Sequence, residues 1–137
     1  NKAANCDEVP VGAVVTLNGD IIGEGYNQPV RSSDPSAHAE IMALRDAGIR
    51  VDNYRLVGAT MYVTLEPCIM CIGAIVHARL KKLVFGAMDE KTGAVGSRLN
   101  ALQDYKWNHL VEYQSGVLAS ECGSVLTNFF KSKRRIK

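Results

Sequence analysis

The amino-acid sequence predicts a three-layer α/β domain, a mixed sheet of roughly five strands covered by helices. The first sign is a turn, Asn18-Gly19-Asp20, set between two apolar runs, which is a strong antiparallel hairpin signal. The second is a strand–helix–strand pattern over residues 60–86, long enough for a right-handed parallel crossover. The third is size and composition. With 137 residues, 47% of them apolar and 22% charged, the chain suits one globular domain with a proper core. That balance excludes a disordered chain.

Along the chain, Val9 to Val15 is apolar and β-branched and reads as the first strand. Ile21 and Ile22 begin its hairpin partner. Gly23, Gly25, Asn27 and Pro29 mark a long loop to about Ser33. A helix then opens with Asp34 as N-cap and Pro35 at the first position. Ala37, Ile41, Leu44 and Ala47 keep roughly helical spacing, and Gly48 is expected to end it. Thr60 to Glu66 alternates and is β-rich, a strand. Pro67 opens a second helix, Cys68 to Arg79, so apolar that burial on more than one side is expected. Lys82 to Gly86 is the next strand, Lys91 to Ser97 a Gly-rich loop, and Leu110 to Gln114 a last strand. Val117 to about Lys133 closes the chain as a helix. Val117, Cys122, Val125, Leu126, Phe129 and Phe130 form its rough apolar stripe. No repeat, low-complexity stretch or linker interrupts this order, so residues 1–137 read as a single domain.

The longest apolar run, Ile69 to Val76, is far shorter than the ~20 residues of a membrane span. No signal-peptide pattern is present, and four cysteines are too few for a secreted disulfide scaffold, so a cytoplasmic chain is expected. The sequence opens at Asn1 without a Met, and a preceding segment is expected. The net charge of +2 is uneven: Lys131, Lys133, Arg134, Arg135 and Lys137 form a basic tail on a body of net −3. Such a tail can meet phosphate; it also suits a solvated helix end, where cations are favoured.

The chemistry concentrates in His38-Ala39-Glu40 and Pro67-Cys68-Ile69-Met70-Cys71. Cys68 and Cys71 lie three apart at a helix start, so both thiols leave one face. A helix N-terminus favours the thiolates a metal ligand must be. His38 is expected in the first turn of the other helix, and two such helix starts can converge at one sheet edge. Two thiolates and one imidazole suit Zn²⁺, one per chain. Three protein ligands leave a position for water, whose pKa zinc lowers to about 7. Glu40 is then placed as proton shuttle. Residues two apart on a helix point to different azimuths, so this role needs a pocket at the open helix end.

Other readings of these residues stand beside that one. Cys-x-x-Cys alone also fits a redox pair. A closed structural zinc would need a fourth ligand from Cys6, Cys122, His77 or His109, none at ligand-like spacing. His77 reads as an interior histidine, and Cys6 and Cys122 as free thiols. Asn27 fits a plain turn residue, and Asp89 and Lys91 fit solvated loop charges. Phe129 and Phe130 are adjacent, so at most one faces the core.

His-x-Glu with Pro-Cys-x-x-Cys is the signature of zinc deaminases of nucleobases. The flanking segments narrow it. Glu8-Val-Pro-Val-Gly-Ala13, Asn27-x-Pro29, Asp34-Pro-Ser-Ala-His-Ala-Glu-Ile-Met-Ala-Leu-Arg45, Asn53-Tyr-Arg-Leu56, Tyr62-Val-Thr-Leu-Glu-Pro-Cys-Ile-Met-Cys71 and Phe85-Gly-Ala-Met-Asp-Glu-Lys-Thr-Gly93 follow one pattern. From Glu8 to about Arg135 the chain resembles the bacterial tRNA adenosine deaminases of the cytidine deaminase-like superfamily. Met88 departs, standing where relatives tend to carry Arg, and only a stub, Asn1 to Asp7, stands where the family has its first helix.

The resemblance implies a single zinc deaminase domain of the CMP/dCMP type. It implies hydrolytic deamination of adenosine to inosine at the wobble base of an arginine tRNA. His38, Cys68 and Cys71 would bind zinc, and Glu40 would move protons. Asn27 would contact the flipped nucleotide, Asp89 and Lys91 its neighbours in the anticodon loop, and Phe130 a loop base, with Lys133 to Arg135 on phosphate. A homodimer is implied too, for which the apolar helix after Pro67 is the expected surface. Two other functions stay open: a deaminase of small free bases or nucleotides, and a noncatalytic RNA-binding subunit with structural zinc.

Overall fold

A computed structural model describes residues 2–5 and 8–136; for Asn5 and residues 134–136 it describes the backbone only. Cys6 and Lys137 lie outside the described residues. The element order is α1 (Lys2–Asn5), β1 (Gly12–Leu17), β2 (Asp20–Tyr26), α2 (Ala39–Val51), β3 (Thr60–Leu65), α3 (Ile69–His77), β4 (Lys82–Ala87), α4 (Ala101–Asp104), β5 (Glu112–Gln114) and α5 (Ala119–Ile136).

The five strands form one sheet in the order β2-β1-β3-β4-β5. β1 pairs antiparallel with β2 and β3, whereas β3, β4 and β5 run parallel. The hairpin turn is the one the sequence signals, with Asn18 at φ 52° and Gly19 at φ 85°, both in the left-handed region that such a turn requires. β2, β3 and β4 therefore run in one direction, and their carboxyl ends share one edge of the sheet. That edge is where Asn27, Glu66 and Asp89 leave their strands.

Register fixes what each face carries. Gly25 pairs with Ala13, Ala13 with Val63, and Val63 with Phe85; Gly23, Val15, Met61 and Leu83 form the next row. These rows face α2 and α3 and make the core with Ile72, Ile75 and Leu80. Full burial of each large side chain there contributes about 1.5–3 kcal/mol. Gly86, one residue on, faces the opposite way: a Cβ there would strike the Cys122 sulfur of α5. α5 thus forms the third layer, and the chain is an α/β/α sandwich around a mixed five-stranded sheet.

Several element limits differ from those read off the sequence. β1 begins at Gly12, not Val9, and β2 runs through Gly23 and Gly25 to Tyr26 instead of dissolving into a loop. The two glycines belong to the strand because α2 crosses it at backbone contact. A Cβ on Gly23 would overlap Ala43 and Ala47, and one on Gly25 would overlap the Ala39 carbonyl and the Ala43 nitrogen. α2 starts at Ala39, not Pro35, because Asp34 spends its carboxylate on a tight turn: its Oδ1 accepts the Ser36 N–H at 2.9 Å. Gly48 does not stop α2; Asp52 does, in the left-handed conformation at φ 54°. α4 was not foreseen, and β5 is only three residues long.

The closing helix α5 starts and ends two to three residues later than expected and is shallower. Its half-buried stripe is Ala119, Cys122, Gly123, Leu126, Phe129 and Lys133, while Val125 and Phe130 are exposed. α3 is buried on one side only. Cys71, Ile72, Ile75 and Val76 face the core, and Ile69, Met70 and His77 are exposed. The interior placement expected for His77 is thus wrong. Among the described residues no helix is long and apolar enough to cross a membrane.

Candidate active site

The carboxyl edge of the sheet gathers the signature residues. β2 ends at Tyr26, and the next residue, Asn27, turns back on α2: its Oδ1 accepts the Ala39 N–H at 2.8 Å. This bond caps the helix from a distance, because the N-cap residue itself, His38, has no capping side-chain bond. His38 is extended at φ −72° and ψ 154°, outside the helix rather than in its first turn. The azimuth difficulty therefore vanishes: Glu40 projects from the helix and His38 from the strand-like residue before it.

On the other side, β3 ends at Leu65, Glu66-Pro67 follows, and Cys68 is the N-cap of α3. Nδ1 of His38 lies 3.6 Å from Sγ of Cys68 and 3.6 Å from Sγ of Cys71. The three ligand atoms lie within 4.8 Å of one another, a group that can hold a metal ion. Among the described residues no other such group of three occurs. His77, exposed, lies apart from it, and His109 places Nε2 2.7 Å from the Leu80 carbonyl. Cys122 faces Gly86 across the sheet. None of the three joins the group as a fourth ligand.

The electrostatics make Cys68 the ready thiolate of the group. The Cys71 thiol donates to Cys68, and with His38 this holds the Cys68 thiol down at about 4. Cys71 is pushed up by the same bond and by burial. Cys68 raises His38 in turn. Glu40 is 4% exposed, and burial lifts its carboxyl to about 7 against the pull of His38. A carboxyl that both holds and releases a proton near neutrality, beside a metal-binding triad, is equipped for general acid–base chemistry.

The remaining expected site residues divide. Asp89 and Lys91 sit on the loop after β4, beside the Cys68 segment. The Asp89 carboxylate is occupied within that loop, accepting from the Lys91 N–H at 3.0 Å and the Thr92 hydroxyl at 2.9 Å; Lys91 is exposed. Phe130 lies on α5, over the opposite face of the sheet, edge-on to Phe129 at 5.5 Å between ring centres. The structure does not join it to the His-Cys-Cys group.

Two buried acids were missed in the sequence. Glu8, 2% exposed, accepts the Val30 N–H at 3.2 Å and the Arg31 N–H at 2.7 Å, and so pins the loop after Asn27. Glu66, also 2% exposed, does the same for the loop after β4. The available signal was a lone acid beside an apolar strand, since a buried carboxylate needs partners.

Similarity to known proteins places the chain among deaminases. A family model for MafB19-like deaminases matches residues 1–134. The chain is 55% identical over 138 residues to a tRNA-specific adenosine deaminase of Haemophilus influenzae, covering 100% of this chain and 80% of that protein. It is 46% identical over 136 residues to the tRNA-specific adenosine deaminase of Bacillus subtilis, with 99% and 84% covered. A structure solved in studies of A-to-I editing by tRNA:A34 deaminases at the wobble position superposes with a TM-score of 0.88 at 42% identity, over 91% of each chain. At these identities and coverages the chain belongs to the MafB19-like deaminase family, among the tRNA-specific adenosine deaminases.

Proposed function

We propose that this protein deaminates adenosine to inosine at the wobble position of a tRNA anticodon loop, with zinc held by His38, Cys68 and Cys71. The observation that carries this is Glu40, 4% exposed, set against a three-residue ligand group. The group fits zinc on its own dimensions. Tetrahedral ligands at Zn–S ~2.3 Å and Zn–N ~2.05 Å stand about 3.6 Å apart, and both S···N distances are 3.6 Å.

Bound there, zinc would act as a Lewis acid that makes water nucleophilic near neutral pH. The protein's own residues do the rest. A carboxylate oxygen of Glu40 takes one proton from the attacking water and passes it to the ring nitrogen N1. It then takes the second proton from the hydroxyl added at C6 and passes it to the amine, so that the C6–N bond breaks, ammonia leaves and the C6 carbonyl of inosine forms. Burial of Glu40 keeps these protons out of bulk water. Asn27 spends Oδ1 on Ala39, which leaves the Nδ2 donors free to meet the flipped nucleotide.

Lys91 meets the neighbouring phosphates with its exposed ammonium, and Asp89 shapes the loop beneath it. Phe130 and the basic end of α5 are the weakest part of the RNA surface, since they stand on the far face of the sheet. A second copy of the chain bordering this site would account for both. The exposed Ile69 and Met70 of α3 are the apolar surface on which a homodimer would pair. Residues 1–137 act as one zinc deaminase domain, in the cytoplasm where tRNA is.

The test is inosine formation in an anticodon stem-loop bearing adenine at the wobble position, with free adenosine and cytidine in parallel. Inosine in the stem-loop alone supports the proposal. Turnover of the small molecules alone overturns it in favour of a free-base or nucleoside enzyme. Zinc and RNA binding with no turnover overturns it in favour of a binding subunit.

A further inference from the structure

Glu66 is a second buried carboxylate at the active edge, and the deamination chemistry gives it no task. Its side chain is 2% exposed, yet four donors converge on it. Oε1 accepts the Asp89 N–H at 2.9 Å and the Ser97 hydroxyl. Oε2 accepts the Val95 N–H at 2.8 Å and the Ser97 N–H at 3.1 Å. A carboxylate offers about four acceptor sites, and all are taken.

Every one of these donors belongs to the loop after β4. The loop is wrapped tightly around the carboxyl: a Cβ at Gly93 would overlap Glu66 and the Asp89 carbonyl. The Ala94 N–H donates to the Pro67 carbonyl at 2.8 Å. The loop is therefore fastened to Glu66 and Pro67, the two residues that lead into Cys68. Its outer surface presents Met88, Glu90, Lys91 and Arg98 to solvent. The segment that fixes Cys68 also fixes where these side chains stand.

We propose that Glu66 is a positioning residue for RNA binding: it holds the 88–97 loop in the shape that meets the anticodon loop, and its effect falls on substrate affinity rather than on the chemical step. This rests on the tRNA reading above. The carboxylate is required as such. A glutamine keeps the shape but turns an NH₂ group toward N–H donors, which leaves buried donors unmet. An aspartate is one methylene short.

The experiment compares wild type with Glu66→Gln on the same wobble-adenine stem-loop, with zinc content and stem-loop Kd measured alongside. The expected result is a KM and Kd raised about tenfold or more, kcat within about threefold, and full zinc occupancy. That split reports lost binding common to ground and transition states. A lower Tm with KM and Kd unchanged overturns the proposal, because a merely structural buried carboxylate would act that way. A loss of kcat at unchanged KM, or a loss of zinc, also overturns it. Should Glu66→Gln fail to fold, Gly93→Ala decides the matter, since its methyl pushes the loop from the carboxyl. It is expected to raise KM with kcat retained, and unchanged KM overturns the proposal. Wild type that forms inosine while the variants match it refutes the role of Glu66 alone. Wild type that neither binds nor deaminates the stem-loop refutes the tRNA reading and Glu66 with it.

Discussion

The side-chain oxygen of Asn27 accepts the backbone N–H of Ala39 at 2.8 Å, so a residue at the end of β2 caps the helix that carries Glu40. His38 sits between the cap and the helix, so that bond fixes the backbone on its C-terminal side. Asn27→Ala is expected to cost about 1–2 kcal/mol, the usual loss of a helix N-cap. It should also loosen zinc, by displacing His38. Asn27→Asp keeps the acceptor and favours the helix dipole, so stability and zinc should return. It lacks the Nδ2 donors, so KM for the stem-loop should stay high. Thermal melts, zinc analysis and stem-loop kinetics on both variants check this. Full kinetic rescue by Asp would leave Asn27 a cap and nothing more.

Glu40 makes two opposite contributions. Its replacement by Gln should lower activity by about 10²–10⁴-fold, the range of general acid–base catalysis, with zinc retained. The same change should stabilise the metal-free protein at alkaline pH. Burial raises the Glu40 carboxyl from 4.5 to about 7, so the folded state prefers it protonated. The stability this gives is fully present below pH 4.5 and is lost as pH rises through 7. Relative to wild type, metal-free Glu40→Gln should therefore gain several degrees in Tm between pH 5 and pH 8. A Tm difference that is flat in pH would refute the buried, titrating carboxyl.

Zinc should be held by three side chains and compete with protons. Elemental analysis is expected to find about one zinc per chain at pH 8, and far less in His38→Ala, Cys68→Ser and Cys71→Ser. Occupancy should fall toward pH 6. Cys71 and His38 are both pushed up by Cys68, so their protons return first and displace the metal. Chelation should abolish inosine formation and zinc should restore it. Unaltered zinc in Cys71→Ser would remove that residue from the ligand set.

The signature spacing made His38, Glu40, Cys68 and Cys71 readable as one site, because metal ligation constrains both residue type and separation. The hairpin was equally plain, since only residues tolerant of positive φ serve at Asn18 and Gly19. What stayed hidden depends on neighbours far away in the chain. Asp34 looked like the N-cap of α2, but the side chain of Asn27, just past the end of β2, does the capping at Ala39. Gly23 and Gly25 looked like loop residues because local pattern cannot tell a flexible glycine from one flattened under a helix. Glu8 and Glu66 stood inside the family-like segments, but their roles stayed hidden, since their partners are mostly backbone N–H groups, which carry no sequence signal.

Gly25→Ala tests the last of those misreadings. The added methyl would meet the Ala39 carbonyl and the Ala43 nitrogen, both backbone atoms of α2, so no rotamer change can relieve the contact. The helix must lift from β2. Overpacking of this kind costs about 1–3 kcal/mol, and the displaced first turn carries Glu40 beside the His38 N-cap. Stability, zinc affinity and kcat should therefore fall together. Gly19→Ala is the control. Its Cβ meets nothing within 4 Å, and only the φ of 85° is strained. It should lower Tm while zinc content and kcat per folded molecule stay at the wild-type level. If Gly25→Ala behaved like Gly19→Ala, the close seating of α2 on β2 would have no part in building the active site.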